Sequence, residues 1–392
     1  PIMNKKYFFP YLAIWAILTI VISSSKLSHQ TNYTYNISPP PLPNPRLQKA
    51  YLALQAWKHA ITSDPSNFTS NWYGPNVCSY NGVYCAPAPD DPHALTVAGI
   101  DLNHVNLAGF LPEELGLLAD LTLFHINTNL FCGTVPLGFR DLHLLYELDL
   151  SNNNFSGEFP GVVLCLRSIK YLDIRFNQFH GNLPPQLFDL KLDALFVNDN
   201  KFESSLPETL GNSPVSVMVL ANNDFTGCIP SSLSKMGHTI NEIILANTGL
   251  TSCLQPDIAS LYQVTVFDVS FNDLVGPLPG SMGNMKSLEQ LNVAHNKLSG
   301  EIPDGICRLP KLENFTFSYN YFSGEPPACL QLPAKDDKEN CLAYRPLQRS
   351  PQECASFYAY PVNCDAYGCS ADGPPPPPWL PPPPVYDHYH YP

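Results

Sequence analysis

Positive charge is scarce in this sequence. The 392 residues include 21 lysines and arginines against 34 aspartates and glutamates, which gives a formal net charge of −13 at pH 7. A chain with this balance repels nucleic acid and anionic membranes and attracts basic partners. We therefore expect no nucleic-acid partner, although acidity by itself also serves solubility.

Long apolar runs are almost absent as well. The one such run occupies 7–22, follows Lys5 and Lys6, and ends in three serines. A basic start, a short apolar core and small residues are typical of a secretory signal peptide. The alternative, a membrane anchor, is disfavoured because the core is short for a span. We expect a signal peptide at 1–28, a disordered linker at 29–45, and a secreted extracellular protein with no membrane span.

The motifs of common catalytic sites are missing too. The sequence has no G-x-S-x-G nucleophile elbow, no H-E-x-x-H zinc motif and no glycine-rich phosphate loop. No motif indicates a cofactor or a metal site. These absences favour a protein that binds another macromolecule over an enzyme.

Cysteine, by contrast, is plentiful. The chain has 12 cysteines, which indicates an oxidising compartment. Five Asn-x-Ser/Thr sequences are candidate N-glycosylation sites and support secretion jointly with the signal peptide. These candidate sites are Asn32, Asn36, Asn67, Asn154 and Asn314.

A pattern of leucines and asparagines recurs ten times along the chain. Its clearest copy, L-x-x-L-x-L-x-x-N, places Leu145, Leu148, Leu150 and Asn153 at the fixed positions. Successive copies begin 23 to 25 residues apart. Such regularity is typical of a solenoid in which each repeat adds one short strand to a parallel sheet. The asparagine position, called the ladder position below, is occupied by Val105, Asn129, Asn153, Asn177, Asn200, Asn223, Thr248, Asn272, Asn296 and Asn320.

The pattern predicts an α/β solenoid of about ten repeats of about 24 residues over 97–328. A buried asparagine can satisfy the backbone groups of the turn that follows each strand and can stack on its neighbours. Val105 is expected in an atypical end repeat, and Thr248 marks a local irregularity.

Both ends of the repeat array have candidate caps. The segment 46–96 opens with a stretch free of Gly and Pro at helical apolar spacing, and Cys78 and Cys85 follow it. We predict an N-terminal cap there with a Cys78–Cys85 disulfide, and a disulfide-stapled C-terminal cap at 329–370. The Pro- and Tyr-rich residues 371–392 predict a polyproline II tail.

Two further cysteines can be paired by position. Cys228 and Cys253 each lie five residues after a ladder position in adjacent repeats. Adjacent strands lie about 4.8 Å apart, inside the Cα–Cα window of about 4.4–6.8 Å for a disulfide. We predict a Cys228–Cys253 bond and also assign Cys307 and Cys329 to disulfides. The pairing stays open for Cys132, Cys165, Cys341, Cys354, Cys364 and Cys369.

The residues between the leucines of each strand should point outward and form the concave face. Over these columns there are seven carboxylates and one arginine, with aromatic residues between them. An acidic strip with aromatic anchors suits a cationic peptide, although outward Asp residues also serve the strand ends of such repeats. The predicted peptide-binding residues are Asp101, His125, Glu147, Asp149, Tyr171, Asp173, Phe176, Phe196, Asp199, Glu242, Asp268, Phe271 and Tyr319.

One carboxylate pair raises an enzymatic alternative. Asp149 and Asp173 hold equivalent positions on adjacent repeats, and glycosidases use two carboxylates about 5–9.5 Å apart. A polysaccharide hydrolase is therefore conceivable. A repeat generates such pairs automatically, however, so two solvated acids are the better interpretation.

Several segments go beyond the generic repeat, including NPRLQKAYLALQAWK, NVCSYNGVYCAP, ELDLSNN, ENFTFSYN and RSPQECASF. Over residues 44–370 the chain resembles the leucine-rich-repeat extensin proteins of plant cell walls. The resemblance implies a leucine-rich-repeat horseshoe of plant-type repeats. It also implies a non-enzymatic role in cell-wall organisation, with binding of small basic cysteine-rich peptides of the rapid alkalinization factor type. Contacts with cell-wall polymers (pectin and the extensin network) and a homodimer are further implications.

The tail departs from that family. Extensin tails are long and built from Ser followed by prolines, whereas no Ser precedes either Pro run here. Tyr389 and Tyr391 flank one histidine and resemble the Tyr-x-Tyr cross-linking unit. An alternative function is inhibition of a wall-degrading enzyme such as polygalacturonase, whose inhibitors share the repeat but lack the ENFTFSYN and ECASF segments. A receptor-kinase ectodomain ranks third.

Overall fold

The computed structural model describes residues 44–360, 362 and 364, which belong to one compact unit. The predicted signal peptide, nearly all of the predicted linker and the predicted tail lie outside the described residues. So do the candidate sites Asn32, Asn36, Tyr389 and Tyr391, and also Cys369. The described chain forms an open solenoid of parallel strands, as the repeat pattern predicts.

A single long sheet runs the length of the solenoid in the order β2-β3-β5-β7-β9-β11-β13-β15-β17-β19-β21-β23. Only β2 and β3 pair antiparallel, and all later neighbours are parallel. Its strands are β2 (Val83–Ala88), β3 (Asp91–Asp101), β5 (Leu123–His125), β7 (Glu147–Asp149), β9 (Tyr171–Asp173), β11 (Ala194–Phe196), β13 (Val217–Val219), β15 (Glu242–Ile244), β17 (Val266–Asp268), β19 (Gln290–Asn292), β21 (Asn314–Thr316) and β23 (Ala334–Asp336).

Two shorter sheets line the flank. The first, in the order β1-β4-β6-β8-β10-β12-β14, comprises β1 (Ile61–Ser63), β4 (Ala108–Gly109), β6 (Leu130–Gly133), β8 (Asn154–Glu158), β10 (Gln178–Asn182), β12 (Lys201–Ser205) and β14 (Asp224–Thr226). The second, in the order β16-β18-β20-β22, comprises β16 (Thr251–Cys253), β18 (Asp273–Gly276), β20 (Lys297–Glu301) and β22 (Tyr321–Gly324). The α-helices are α1 (Pro45–Ala60), α2 (Asp304–Cys307) and α3 (Pro351–Tyr358), and short 3₁₀ helices return the chain on the outer side.

The central residue of each short strand in the long sheet points into the core. Leu148, Leu172 and Leu195 are fully buried and lie in register on neighbouring strands. The core therefore continues from repeat to repeat, and burial of these side chains is what holds adjacent repeats together.

Each ladder asparagine forms hydrogen bonds with backbone groups of the turn that follows its strand. The Asn153 amide donates to the carbonyls of Ile126 at 2.9 Å, Leu150 at 3.2 Å and Ser151 at 3.0 Å, while its Oδ1 accepts from the Phe131 N–H at 3.0 Å. These partners are buried backbone groups that water cannot reach, so the side chain is required for the turn.

The irregular ladder residue Thr248 reaches part of the same network. Its hydroxyl donates to the carbonyl of Leu245 at 2.8 Å and to Oδ1 of Asn272 at 3.0 Å. Its shorter side chain makes no bond to the preceding repeat, and here the flank sheet is interrupted between β14 and β16.

The N-terminal cap closes the core with aromatic rings. Helix α1 starts at Asn44, whose side chain accepts from the Arg46 N–H. Trp57 on this helix is fully buried, with ring centroids 5.5 Å from Phe124 and 5.8 Å from Trp72. The predicted Cys78–Cys85 disulfide is present in the loop that follows.

The C-terminal cap begins with an eleventh ladder residue that the leucine pattern does not reveal. Asn340 is buried, donates to the carbonyls of Phe317 and Asp337, both at 3.1 Å, and accepts from the Phe322 N–H at 3.0 Å. Strand β23 precedes it and completes the long sheet. The stacked array thus continues one rung into the segment predicted as a cap.

Charged side chains replace the leucines in this last rung. Lys335 and Asp337 stand where the pattern has core residues, and Lys335 Nζ lies 2.6 Å from Glu325 Oε2 and 2.8 Å from Asp337 Oδ2. Arg345 contacts the same two carboxylates at 3.0 and 2.6 Å. This network covers the open end of the core with groups that tolerate water on one side. Further staples are the Cys307–Cys329 and Cys341–Cys354 disulfides.

The predicted Cys228–Cys253 disulfide is wrong. Cys253 is bonded to Cys364, and Cys228 is disulfide-bonded as well. Flank strands are staggered by two residues, so the backbone neighbour of the Cys228 segment is Thr251, whose N–H donates to the carbonyl of Gly227 at 2.7 Å. Two residues of stagger at about 3.3 Å each, combined with the strand spacing, put equivalent positions about 8 Å apart, beyond the reach of a disulfide.

Candidate functional site

The side of the long sheet that carries the first and third residues of its short strands is called the concave face here. Along the third column, Asp101, His125, Asp149, Asp173 and Phe196 follow one another in register from β3 to β11. The structure therefore brings these five sequence-predicted residues together in one row.

The first column adds two predicted residues beside that row. Glu147 Oε2 lies 3.0 Å from His125 Nε2, and the ring of Tyr171 lies 5.6 Å from that of Phe196. The resulting group of Asp101, His125, Glu147, Asp149, Tyr171, Asp173 and Phe196 is called the acidic cluster below. It occupies five neighbouring strands in the N-terminal half of the long sheet.

Several aspartates of the concave face also stabilise the ends of their own strands. One Oδ of Asp149 accepts from the N–H of Ser151 at 2.9 Å, and Asp268 does the same for Ser270 at 2.9 Å. Asp101 makes the equivalent bond to the residue two positions on. These bonds hold the strand end, as an Asx turn does, and among the described residues the second oxygen of Asp149 accepts no hydrogen bond.

Asp173 departs from the expectation that every acid of the row is exposed. Its side chain has no solvent-accessible surface. Oδ2 accepts from the Tyr171 hydroxyl at 3.2 Å and lies 3.0 Å from Arg175 Nε. Burial, and then the negative charge of Asp149, raise the pKa of Asp173 to about 7, although Arg175 opposes that rise. Desolvation outweighs the ion pair here because a buried carboxylate loses its hydration. A catalytic acid at this position would first have to be uncovered.

The residue immediately before each ladder position has a left-handed backbone conformation. These residues form a column separate from the strand columns, called the left-handed column below. Phe176, Asp199, Phe271 and Tyr319 have φ between 52° and 57°. Phe176 and Phe271 are about half exposed, at 46% and 54%, and neither residue lies in a regular strand. This column borders the concave face along one edge.

Toward the C-terminal end that column becomes a stack of rings. The rings of Phe271 and His295 lie 4.0 Å apart and those of His295 and Tyr319 lie 4.1 Å apart, nearly parallel in both cases. Burial lowers the pKa of His295, with Asp336 opposing and Arg349 reinforcing the effect. The stacked rings offer a neutral, apolar edge, in contrast to the acidic cluster.

Two predicted residues stand apart from both groups. Glu242 lies between Val217 and Val266 on the neighbouring strands. Asp199 accepts from the Asn222 amide at 2.9 Å, within a hydrogen-bonded run along the left-handed column. Among the described residues, neither side chain makes a hydrogen bond or ion pair with the acidic cluster or the ring stack.

Arg175 was not assigned to the site from the sequence. It lies two residues after Asp173, where the equivalent positions of neighbouring repeats hold Ser151 and Asn198. The sequence signal that could have identified Arg175 is a positive charge at a position where neighbouring repeats have small polar residues. Its significance depends on the burial of Asp173, which the repeat pattern does not reveal.

The candidate glycosylation sites fall on different surfaces. Asn67 is exposed before a 3₁₀ helix, and Asn154 is exposed on flank strand β8. Asn314 is exposed on β21, so a glycan there would project onto the C-terminal half of the concave face.

The described residues form no deep pocket at these positions. A shallow cavity of about 90 Å³ over β17, β19 and β21 is lined by polar groups that include Asp268, Gln290 and Asn292. Within residues 44–360, no group of three His, Cys, Asp or Glu side chains is arranged to hold a metal ion. No helix in that part of the chain is long and apolar enough to cross a membrane.

Comparison with family models gives matches at both the cap and the repeats. The model described as leucine rich repeat N-terminal domain matches residues 48–86. The model described as leucine rich repeat matches 144–166, 168–190 and 287–309.

Curated relatives match over most of the chain. Leucine-rich repeat extensin-like protein 6 of Arabidopsis thaliana is 66% identical over 332 residues, covering 84% of this chain and 71% of the relative. Leucine-rich repeat extensin-like protein 1 of the same plant is 56% identical over 330 residues, covering 83% of this chain and 44% of the relative. The chain thus spans less than half the length of that second relative.

Solved structures show the same architecture. The Arabidopsis receptor kinase HAESA, in complex with the peptide hormone IDA and the co-receptor SERK1, is 27% identical with a TM-score of 0.61, covering 75% of this chain and 54% of that one. A TDR receptor is 29% identical with a TM-score of 0.60, covering 63% and 44%. A plant ice-binding protein shares the fold at 22% identity, with a TM-score of 0.62 and coverage of 78% and 97%.

Proposed function

This chain belongs to the leucine-rich repeat extensin-like family, and from that premise we propose that it is an extracellular, non-enzymatic protein whose concave face binds small peptides. Similarity of fold to a receptor solved with a peptide hormone supports the proposal. The solenoid presents an extended face suited to such ligands.

The acidic cluster is the observation that carries the proposal. Glu147 and Asp149 lie on the concave face, Tyr171 is in register with Glu147 on the next strand, and its ring contacts that of Phe196. The ring of Phe176 is 46% exposed in the same repeat as Tyr171. Charge of one sign steers an oppositely charged ligand into the encounter, and aromatic side chains that become buried provide the persistent contacts. This combination favours a compact cationic peptide.

The family resemblance supports a more specific ligand. We propose small basic cysteine-rich peptides of the rapid alkalinization factor type. The net charge of −13 adds a long-range attraction for such peptides. Inhibition of a polygalacturonase is the alternative function, and the experiment below separates the two.

We also propose that the protein acts in the organisation of the cell wall. The resemblance supports contacts of its Pro- and Tyr-rich tail with wall polymers such as pectin and the extensin network. It likewise supports a homodimer, which light scattering of the secreted chain tests directly, since a mass equal to one chain at every concentration would contradict it.

Binding kinetics of the secreted full-length chain test the peptide-binding proposal. The probe is a folded synthetic peptide of the rapid alkalinization factor type, flowed over the immobilised protein. The informative variants are Glu147→Gln with Asp149→Asn, which removes charge, and Phe176→Asn, which removes the ring. Asparagine is chosen because Asn152 and Asn222 hold the same left-handed position in neighbouring repeats.

We expect slower association for the charge variant and faster dissociation for the ring variant, the latter losing about 1–3 kcal/mol of binding free energy. Asp257→Asn, exposed on the outer 3₁₀ helix, is the matched control and should bind like the unmodified chain. Equal kinetics for all three variants would eliminate the concave face as the site. Inhibition of a polygalacturonase by the unmodified chain, without peptide binding, would favour the alternative function.

A further inference from the structure

Arg175 lies on the concave face in contact with two other side chains, and part of its guanidinium group has no partner. Nε lies 3.0 Å from Oδ2 of the fully buried Asp173, and the guanidinium carbon stands 5.0 Å from the centre of the Phe196 ring. Among the described residues, neither Nη atom has a protein partner. The guanidinium group is therefore held by an ion-pair contact and by the ring, without a hydrogen bond from Nε, and its Nη side is open.

This arrangement adds little to the stability of the fold. Burying a carboxylate to meet one cation generally contributes little net stability, because desolvation offsets the attraction. The equivalent positions Ser151 and Asn198 in neighbouring repeats show that the turn forms without a cation. An arginine whose Nε lies in ion-pair contact with a carboxylate, and whose face rests on an aromatic ring, can still offer its two Nη groups to a second planar anion.

Arg175 also stands against the local charge. Asp101, Glu147 and Asp149 make its surroundings negative, so a carboxylate carried by a basic ligand is favoured there over an isolated small anion. A ligand with a basic body and one carboxylate satisfies both features at once.

We propose that Arg175 is the docking point for a free carboxylate of the bound peptide, its C-terminal group or an acidic side chain, and that docking is linked to protonation of Asp173. This inference rests on the proposed peptide-binding function and adds a selectivity element to it. Carboxylate binding places a second anion on the guanidinium, and the buried Asp173 then becomes neutral by taking up a proton from solvent. Protonation of Asp173 removes one of the two negative charges beside the single Arg175 cation, and Asp173 is the carboxylate whose side chain is cut off from water.

The groups that face Asp173 make this linkage specific. Strand β7 offers Asp149, strand β9 offers Tyr171, and the turn after β9 offers Arg175. Strand β11 offers the uncharged Phe196, so no titratable side chain faces Asp173 from that strand. Burial and Asp149 raise the Asp173 pKa to about 7, which puts its protonation within the range of ordinary experiments.

Two fragments that differ in one group test the proposal on the full-length chain. N-acetyltyrosine carries a carboxylate that stays ionised above about pH 4.5, whereas N-acetyltyrosinamide is its neutral counterpart. Binding is followed through the 15N signal of Arg175 Nε in arginine-labelled protein. We expect N-acetyltyrosine to shift that signal saturably and the amide to leave it in place.

The pH dependence follows from the fraction of protonated Asp173. If the fragment binds only the protonated form, its apparent affinity is proportional to that fraction and rises about fourfold from about pH 7.5 to about pH 5.5. The variant Asp173→Asn should bind with similar affinity at both values, because its side chain stays neutral. The variant Arg175→Gln should lose the response to the carboxylate, while Arg140→Gln, on the outer surface beside Asp141, should keep it.

Equal binding of the acid and the amide, or an unchanged affinity for the acid in Arg175→Gln, would overturn the proposal. A response to galacturonate with none to N-acetyltyrosine would also overturn it and assign the site to a polysaccharide. Failure of the proposed function is distinguishable, because there the folded basic peptide fails to bind the unmodified chain at all. A peptide that binds equally well with its C-terminal and side-chain carboxylates free and with all of them converted to amides retains the function and excludes the carboxylate docking point.

Discussion

At the scale of single residues, the buried carboxyl group of Asp173 makes the stability of the fold depend on pH. Its folded-state pKa of about 7 lies above the ordinary value of 3.8, so the folded chain holds this proton more tightly than the unfolded chain. The stability that it contributes is complete below about pH 4 and is lost as pH rises toward 7.

The variant Asp173→Asn should remove that dependence. We expect the stability of the unmodified chain to fall between pH 4 and 7 relative to the variant, measured as the difference in urea midpoints at each pH. Asp257→Asn should track the unmodified chain throughout. A constant difference between Asp173→Asn and the unmodified chain across this range would contradict the pKa assignment.

At the scale of elements, the last rung depends on charge where the others depend on leucine. Lys335 is 11% exposed and faces two carboxylates, so Lys335→Ala leaves Glu325 and Asp337 with one fewer cation in a nearly buried site. Because Arg345 still contacts both carboxylates, we expect a loss of about 1.5–3 kcal/mol in the free energy of unfolding of the cap, the usual range for a lost hydrogen bond to a charged group. Lys338→Ala, whose side chain is 52% exposed beside Asp336, should cost less than about 1 kcal/mol. Hydrogen exchange of the cap amides measures both.

The disulfides of the flank give a second prediction at this scale. Peptide mapping under non-reducing conditions should recover Cys253 linked to Cys364. Recovery of a Cys253 fragment linked to Cys228 would instead restore the pairing that the repeat register first indicated. The Cys78–Cys85 and Cys307–Cys329 fragments serve as internal controls in the same digest.

What the sequence could predict at this scale is set by periodicity. Ladder residues such as Asn153 and core residues such as Leu148 recur at fixed spacing, so the strands and the ladder follow from the pattern. The stagger of the flank strands leaves no mark on that spacing, which is why the Cys253 partner was wrong. The eleventh rung was hidden because Lys335 and Asp337 replace leucines.

The site could be predicted only in outline for the same reason. Column positions place Asp149 and Asp173 side by side, but a column does not tell which of two neighbouring acids is covered by Tyr171 and Arg175. Burial depends on the side chains of adjacent repeats rather than on position within one repeat.

At the scale of the whole molecule, net charge should govern encounter with a basic partner. With a formal charge of −13, association of a basic peptide should slow steeply as salt is added, while dissociation changes little. Glu147→Gln combined with Asp149→Asn should flatten the salt dependence of the association rate, and Asp257→Asn should flatten it less. Salt-independent association of the unmodified chain would show that apolar contacts alone govern encounter.

The Cys253–Cys364 bond also decides where a mechanical load enters the protein. The chain beyond residue 364 is tied covalently to strand β16, in the middle of the repeat array, rather than to its last rung. Tension on the C-terminal segment therefore bypasses the cap and the last four rungs, which lie inside a closed loop of 111 residues. Repeat proteins ordinarily unzip from the end that is pulled, because each repeat is held only by its neighbours. Here the force is applied to an internal repeat that has neighbours on both sides. The array should therefore resist unfolding from its C-terminal end.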